Sequence, residues 1–348
     1  MKLQDKTLEN WFRVNARKAS ADPLLASYVE RYDNVAKELN TWVHSEVTKG
    51  AISKDGGYLT DHGPDHIATV IRRATMLADC PGCSLKPYEV YLLLMAAHFH
   101  DVGNHFGRDR HEAQARLAMD WLGTAGGRDA IENKMILQIA GAHGGKVNGD
   151  KDTIGYLQNA TTVLGREIRP QYLAAILRFA DELADDRQRA SRFGLATGSL
   201  PPKAQIYHAY AHALHSVGVH HSSRSITLAY ELTEEDAAKQ YEGSYLLDEI
   251  FARTLKMHAE RMYCMRFMRP EINIDGIDVR IEVFGQGLSP VEVIAYRLRE
   301  AGYPMAAGDI HAVCPELTQD QGWDGRHITG AALAQRIKQR SENAGATH

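Results

Sequence analysis

The spacing of apolar residues predicts a helical first half of the chain. Between Thr7 and Val47, apolar residues recur at roughly three- and four-residue steps, the spacing of one helix face. A second helix is predicted to begin at Gly63-Pro64 and to end at Cys80-Pro81-Gly82. The run from Tyr88 to Phe99 is apolar on nearly all sides, so we expect a central buried helix there.

Three further segments complete this helical region. Asp109 and Glu112 have the spacing of a capping box, and helices are also predicted from Ile131 to His143 and from Pro170 to Arg189. The stretch from Gly144 to Gly155 is rich in glycine, lysine and aspartate and lacks an apolar period, which indicates a loop. The first 200 residues are therefore predicted to be all-helical.

The pattern changes after the linker Gly198 to Pro202, where alternating β-branched sequence begins. The pattern predicts strands at Leu214–Val219 and Arg224–Leu232, a helix from Thr233 to Met268, a strand at Ile277–Phe284 and a helix from Ser289 to Gly302. We expect a mainly α protein, with a helical bundle in residues 1–200 (core 60–190), a small α+β subdomain in 201–302 and a peripheral tail in 303–348.

Composition narrows the class of protein. The 348 residues suffice for one large or two ordinary domains, and a net charge of −4 gives no reason to expect long duplex nucleic acid as a ligand. Four cysteines favour a reducing compartment. The N-terminal segment MKLQDKTLENWF is polar, and no run of about 18 apolar residues occurs, so we expect a cytoplasmic protein without a membrane partner. The compositional outlier is the 17 histidines.

Several polar residues continue the apolar stripe of their own predicted helix. They are His66, His111, His143 and Asp181, each four residues from an apolar position of its helix. Each should point toward a core. A carboxylate buried there costs several kcal/mol unless it is paired, hydrogen-bonded or bound to a metal ion, so a partner is expected inside.

One candidate partner is His100-Asp101, at the end of the buried helix. Adjacent residues there can present an imidazole nitrogen and a carboxylate oxygen to one centre. Such mixed donors suit Mn²⁺, Fe²⁺, Co²⁺, Ni²⁺ or Zn²⁺, whereas Mg²⁺ is less suited to imidazole ligands. A bound metal ion acidifies water and polarises a phosphoryl oxygen, so hydrolysis of a phosphoester is the chemistry that follows most directly.

At these residues the sequence resembles the HD superfamily of metal-dependent phosphohydrolases. His66, His100-Asp101 and Asp181 are similar to its H…HD…D signature over roughly residues 60–190. The resemblance implies an all-helical fold in which these four residues bind one metal ion. It also implies that Asp101 orients or deprotonates the attacking water.

The resemblance extends to the members of the superfamily that bind two metal ions. His111 and His143 fall where those members place theirs, so one or two divalent ions are expected. The series HDVG…HEAQA…IAGAHGG…LRFADELADDRQR looks most like ribonuclease Y-type and related phosphodiesterase HD domains. Those domains often have two adjacent histidines at the fourth element, where Ala142 precedes His143 here.

Other polar residues could assist such a site. Guanidinium and ammonium groups match phosphate oxygens, and the candidates for holding substrate are Lys146, Arg178, Arg187 and Arg189. For each of them, an ordinary solvent-facing charge is the alternative. His62 and Asp65 flank the first ligand and could fix its tautomer, or could be ordinary polar residues at a helix start. His208, His212 and His215 could form a second metal site or a substrate-facing histidine cluster, or could belong to an exposed or interface helix.

These observations predict a hydrolase. A metal-bound hydroxide would cleave a phosphoester in a nucleotide, a cyclic nucleotide or a short oligonucleotide. A binding module that senses a nucleotide with little turnover is one alternative, and a diiron oxygenase is another. The C-terminal subdomain would shape substrate choice or form a homo-oligomer.

Overall fold

The structure, a computed structural model, describes residues 3, 7–19, 22–46, 60, 62–103, 111–123, 129–300, 302–304, 308–318 and 327–345, without the side chains of 111–113, 341 and 343–345. Two units are distinguished, residues 1–184 with 264–273 (unit 1) and residues 185–263 with 274–348 (unit 2). The mainly α fold with a smaller α+β part is confirmed. The domain limits drawn from the sequence stay predictions.

Unit 1 is built from helices around one buried helix. In chain order they are α1 (Leu8–Lys18), α2 (Leu25–Leu39) with a π-helical turn (Asn40–His44), α3 (Pro64–Ala78), α4 (Pro87–Phe99), α5 (His111–Leu122), α6 (Ala130–Gly141) and α7 (Pro170–Glu182). Prolines occupy the first turns of α3, α4 and α7, where their missing N–H costs nothing. Every residue from Tyr88 to Phe99 is buried, which confirms the central helix. Helix α4 packs against α1, α2, α6 and α7, and α3 packs against α7.

Two details of unit 1 differ from the prediction. The region is not all-helical, because β1 (Thr161–Val163) and β2 (Arg166–Ile168) form an antiparallel hairpin. The sequence signal was present in the β-branched residues and in the turn Leu164-Gly165, whose φ angles of 49° and 76° suit a tight hairpin. The capping box at Asp109 and Glu112 lies outside the described side chains.

Helix α7 is shorter than predicted. It ends at Glu182 instead of Arg189, and a separate 3₁₀ turn covers Arg187–Arg189. The buried Arg73 of α3 donates a hydrogen bond from Nε to the carbonyl of Leu183 at 3.0 Å. This donor satisfies a carbonyl that a continuing helix would otherwise bond, so a distant residue marks the end of α7.

Unit 2 surrounds a four-stranded sheet. In chain order the elements after α7 are α8 (Arg192–Thr197), α9 (Pro202–Ala213), β3 (Leu214–His220), β4 (Ser225–Thr233), α10 (Glu234–Ala238), β5 (Gln240–Tyr241), β6 (Ser244–Tyr245), α11 (Leu246–Met268), β7 (Gly276–Phe284), β8 (Pro290–Arg299), α12 (Ile310–Val313) and α13 (Gly330–Gly345). The sheet order is β3-β4-β7-β8. Strands β4 and β7 are parallel, and the other two pairs are antiparallel.

The predicted helix from Ser289 to Gly302 is wrong, because this segment is strand β8. Ile294, Tyr296 and Leu298 are buried, and the residues between them are exposed. That period of two is the pattern of a strand with one covered face. Pro290 misled the prediction, since proline opens helices but is equally tolerated as the first residue of an edge strand.

The predicted continuous helix from Thr233 to Met268 is also wrong. Thr233 and Asp236 form a capping box that starts the short helix α10. A hairpin of β5 and β6 then interrupts the chain, with φ angles of 47° at Glu242 and 90° at Gly243. Both central residues of this turn have positive φ, which no helix accommodates.

The C-terminal tail contains helix α13. It packs against α10, and its side chains Leu333 and Ile337 are buried. Among the helices that the structure describes, none is both long enough and apolar enough to cross a membrane.

Candidate metal centre

Three helices of unit 1 bring four polar side chains to one place. His66 lies in the first turn of α3, His100-Asp101 at the C-terminal end of α4, and Asp181 in the last turn of α7. Each offers one ligand atom, and these atoms all lie within 4.8 Å of one another. His66, His100 and Asp101 are buried, and Asp181 is partly exposed. The α3–α7 and α4–α7 packing therefore assembles the cluster from positions far apart in sequence.

The two imidazoles lie between the two carboxylates. Nε2 of His66 is 3.2 Å from Oδ1 of Asp181 and 3.4 Å from Oδ2 of Asp101. Nε2 of His100 is 3.4 Å from the same Asp101 oxygen and 3.6 Å from the same Asp181 oxygen. The other oxygen of Asp101, Oδ1, is 3.6 Å from Nε2 of His143. Asp101 thus faces His66 and His100 with one oxygen and His143 with the other.

Backbone carbonyls determine the tautomers of two of these histidines. Nδ1 of His100 is 2.8 Å from the carbonyl of Ala97, and Nδ1 of His143 is 2.7 Å from the carbonyl of Ala140. Because a carbonyl only accepts, each Nδ1 carries the proton. In the neutral ring Nε2 then presents its lone pair toward Asp101, which is the arrangement that metal-binding histidines use.

The electrostatics of the cluster favour positive charge. Burial by itself lowers the pKa of His100, but Asp101 and Asp181 outweigh it and raise that pKa to about 10. Burial by itself raises the pKa of Asp181, but the His100 and His66 rings hold it well below its ordinary value. Asp181 is therefore ionised and attracts a cation, either a proton on an imidazole or a metal ion.

The donor set fits a divalent metal ion. Among the described residues, none makes a hydrogen bond of good geometry to Nε2 of His66, to Nδ1 of His66 or to Nε2 of His100, although all three atoms are buried. A buried nitrogen without such a partner is costly. A cation bound by His66, His100, Asp101 and Asp181 would satisfy both Nε2 atoms, and two nitrogen and two oxygen donors suit the first-row divalent ions. No other such group occurs in the part of the chain that is described.

The remaining predicted ligands and neighbours are placed as follows. His143 is buried in the loop after α6 beside Asp101, whereas the side chain of His111 lies outside the described residues. His62 is buried, with Nε2 3.8 Å from Oδ2 of Asp101 and Nδ1 2.5 Å from the carbonyl of Thr60. Asp65 is exposed on the first turn of α3.

The four predicted phosphate-binding residues are not alike. Lys146 is exposed in the loop after His143. Arg178 of α7 donates from Nη1 to Oγ1 of Thr153 at 2.9 Å. Arg187 and Arg189 belong to unit 2. Nη1 of Arg187 lies 2.8 Å from Nδ1 of His215, and Nη1 of Arg189 lies 3.5 Å from Oδ1 of Asp185. Substrate binding by these four residues stays a prediction.

Sequence reasoning missed two supports of the cluster. Arg73, two helical turns after His66, holds the end of the helix that carries Asp181. His98 lies two residues before His100 and so points to the opposite side of α4, roughly 200° around the helix. There its Nδ1 is 3.3 Å from Nε2 of the buried His44. Burial, with the nearby charge of His100, lowers the pKa of His98 to about 4.

The helical unit and its histidine and aspartate cluster define an HD-type domain with a candidate metal site, and such domains are generally hydrolase-like. The family HD-CE matches residues 56–266. This match covers more than half of the chain, so the chain belongs to the HD-CE family. No curated protein matches the chain.

Proposed function

We propose that the protein is a metal-dependent hydrolase that cleaves a phosphoester in a nucleotide, a cyclic nucleotide or a short oligonucleotide. The observation that carries the proposal is the pair of buried Nε2 atoms, on His66 and His100. They lie 3.2 to 3.6 Å from carboxylate oxygens of Asp101 and Asp181, and no described residue makes a hydrogen bond of good geometry to them. Such a cluster is stable when a divalent cation lies within it.

The motif series supports a phosphoester as the substrate. We interpret the sequence around His100, His143 and Asp181 as resembling ribonuclease Y-type and related phosphodiesterase domains. A divalent ion bound at the cluster lowers the pKa of water and polarises a phosphoryl oxygen. This chemistry needs no organic cofactor.

The residues around the ion would divide the remaining work. Asp101 is the group we assign to orient the attacking water and accept its proton, because its two oxygens face different sides of the cluster. We assign Lys146, Arg178, Arg187 and Arg189 to substrate phosphates as charge develops. Thr153 would hold the Arg178 guanidinium for this role, since its Oγ1 accepts from Arg178 and donates to the carbonyl of Ala142 at 2.7 Å.

The test combines elemental analysis with hydrolysis of bis-p-nitrophenyl phosphate under Mn²⁺. The wild-type protein should contain metal and turn the substrate over, and Asp101→Ala should abolish turnover while its circular dichroism spectrum is unchanged. Asp33→Ala is the matched control, because Asp33 is an exposed carboxylate of α2 paired with Arg13 and such surface pairs contribute little.

Three outcomes would contradict the proposal. Metal-free, inert protein that binds nucleotides would indicate a sensing module. Iron-rich protein with oxygen-dependent turnover and no hydrolysis would indicate an oxygenase. Equal activity in Asp101→Ala and wild type would exclude the cluster as the catalytic site.

A further inference from the structure

A turn of unit 1 outside the metal centre brings two cysteines together. The segment Cys80-Pro81-Gly82-Cys83 follows α3, and the N–H of Cys83 donates to the carbonyl of Cys80 at 3.2 Å. The first and fourth Cα atoms of such a turn lie less than about 7 Å apart, and a disulfide spans about 4.4 to 6.8 Å between Cα atoms. Both side chains are thiols, and a hydrogen bond joins them. The turn therefore holds the two sulfurs where a disulfide can form between them.

The sulfur of Cys83 is surrounded by hydrogen-bond donors. The hydroxyl of Tyr172 on α7 donates to it at 3.5 Å, and the Cys80 thiol and the N–H of Leu85 also donate to it. The hydrogen bond from Cys80 has the largest influence. Together with the other two donors it outweighs burial and lowers the pKa of the Cys83 thiol to about 6. Cys83 is therefore largely a thiolate at pH 7, which is the nucleophilic form of cysteine.

Cys80 is held in the opposite protonation state. Its thiol lies between two acceptors, the Cys83 sulfur and the backbone carbonyl of Glu271 at 3.4 Å. The hydrogen bond to Cys83, together with burial, raises the pKa of Cys80 above its ordinary value. The Glu271 carbonyl is fixed against the turn, because a Cβ added at Gly82 would lie 2.6 Å from its oxygen. A thiolate beside a thiol is the arrangement of a nucleophilic cysteine with its resolving partner.

The turn admits a small reagent. Cys80 and Cys83 are each 4% exposed, but the residues that flank them in the chain are exposed, namely Asp79, Pro81, Gly82 and Ser84. Hydrogen peroxide is a neutral molecule little larger than water, so the covering backbone hinders it less than a bulky oxidant. The other two cysteines, Cys264 and Cys314, are fully buried, and burial raises the pKa of Cys314 to about 12. Reactivity should therefore be confined to the turn.

We propose that Cys80 and Cys83 form a site of reversible oxidation, at which hydrogen peroxide converts the two thiols to a disulfide, with Cys83 as the attacking sulfur and Cys80 as the resolving one. This site is separate from the proposed hydrolase activity and requires neither its metal ion nor its substrate. A protein in a reducing compartment carries such a disulfide only transiently.

The reaction has two steps. The Cys83 thiolate attacks one oxygen of the peroxide, so that an S–O bond forms, the O–O bond breaks and the leaving hydroxide takes up a proton to become water. Cys80 then loses its proton and attacks the Cys83 sulfur, so that the S–S bond forms and the S–O bond breaks with release of a second water. Two thiols are oxidised and one peroxide is reduced. A small thiol restores both cysteines by thiol–disulfide exchange.

The test treats the full chain with hydrogen peroxide at pH 7, removes the peroxide with catalase, and then denatures and alkylates the protein with N-ethylmaleimide. Peptide mass spectrometry should show the peptide of Cys80 and Cys83 without alkylation and lighter than the dithiol by two hydrogen atoms. Cys264 and Cys314 should remain alkylated, and dithiothreitol should restore alkylation of the pair. Full alkylation of Cys80 and Cys83 after peroxide, or equal oxidation of all four cysteines, would overturn the proposal.

Single variants distinguish the roles of the two sulfurs. Cys80→Ala should leave Cys83 as a sulfenic acid that dimedone labels, whereas Cys83→Ala should leave Cys80 unlabelled, because its thiol keeps its proton. Cys314→Ala is the matched control and should form the disulfide like wild type. Dimedone labelling of Cys80 in Cys83→Ala, with none of Cys83 in Cys80→Ala, would overturn the assigned roles.

The pH dependence of the oxidation gives a further readout. The titratable groups that face Cys83 are Cys80, Tyr172 and, bonded to Tyr172, Glu271. The oxidation rate of wild type should rise with pH around a midpoint near pH 6, as the Cys83 thiol ionises. Tyr172→Phe removes one donor to the sulfur, so its midpoint should lie at higher pH. A wild-type midpoint at the ordinary pKa of a cysteine would overturn Cys83 as the attacking thiolate.

Discussion

The candidate metal centre and the pair His258 and Arg261 on α11 both bury ionisable side chains, and they stabilise them in opposite ways. Arg261 is fully buried, donates from Nη1 to the carbonyl of Ile274 at 2.6 Å and lies 3.6 Å from Glu300. Burial, followed by the charge of Arg261, lowers the pKa of the fully buried His258 to about 4, so His258 is neutral at pH 7. In the metal centre, carboxylates instead raise the pKa of His100 to about 10.

The difference separates a structural site from a candidate functional one. His258 stays neutral because its ring is unprotonated. The positive charge of Arg261 is balanced by a hydrogen bond to the carbonyl of Ile274 and by the nearby carboxylate of Glu300, both within unit 2. Buried ring nitrogens to which no described residue makes a hydrogen bond of good geometry occur at both sites. At His66 and His100, however, these nitrogens lie 3.2 to 3.6 Å from carboxylate oxygens of Asp101 and Asp181. Burial of an ionisable group is therefore weak evidence of function, whereas several nitrogen and carboxylate donor atoms that converge on one point are strong evidence of a cation site.

The largest effect is expected from Asp181→Asn, which keeps the shape of a ligand and removes its charge. We expect metal content to fall to background and the rate of Mn²⁺-dependent hydrolysis to fall about a hundredfold or more. This loss is larger than the one expected when only a residue that supports a metal ligand is removed. Elemental analysis and initial rates measure both, with Asp33→Asn as the control. Full metal content in Asp181→Asn would show that the cation uses other donors.

A smaller effect is expected from Arg73→Met, which removes the hydrogen bond to the carbonyl of Leu183 at the end of α7. Asp181 would lose part of its positioning, so the affinity for Mn²⁺ should fall about ten- to a hundredfold without loss of the fold. Competition titration with a metal indicator measures this affinity. Arg72→Met is the matched control, because Arg72 is the exposed neighbour on α3. An equal loss of Mn²⁺ affinity in both variants would show that Arg73 does not position Asp181.

The pair of His258 and Arg261 in unit 2 should make the free energy of unfolding depend on pH. The pKa of His258 is about 4 in the folded protein and 6.5 as its ordinary value, so the unfolded chain binds more protons between these limits. Its stabilising contribution is complete above pH 6.5 and is lost as the pH falls toward 4. The free energy of unfolding should fall between pH 7 and pH 5 by about 2 kcal/mol more in wild type than in His258→Gln.

Urea denaturation at the two pH values measures this difference. His220→Gln is the control, because His220 is exposed. The same pH dependence in His258→Gln and wild type would show that His258 is not held neutral by its surroundings.

No effect on metal content is expected from His212→Ala in unit 2. His208, His212 and His215 do not form a ligand cluster among the described residues, since His208 accepts from the N–H of Ser191 and His215 lies in β3 beside Glu231. Elemental analysis should give the same stoichiometry as wild type. A lower metal content in this variant would show that histidines of unit 2 also bind metal.

Local sequence was sufficient where one periodicity dominates. Helix α4 is apolar on all sides, and α3 and α7 have one apolar stripe, so their type could be predicted together with the inward direction of His66 and Asp181. The prediction for β8 was wrong because Ser289-Pro290 also resembles a helix start, and only the pairing with β7 distinguishes the strand. The hairpin after α10 was not predicted because the sequence on both sides of Glu242-Gly243 has a helical pattern.

The sequence by itself determined which polar residues need a partner inside the protein, because a histidine or aspartate on an apolar helix face requires a partner wherever the helix packs. Tertiary structure decided which partners these are. Packing of α3 and α4 on α7 brings four ligand atoms within 4.8 Å, and Arg73 reaches the end of a helix more than a hundred residues away. Such contacts depend on the angles and distances between helices, which no periodicity along the chain encodes.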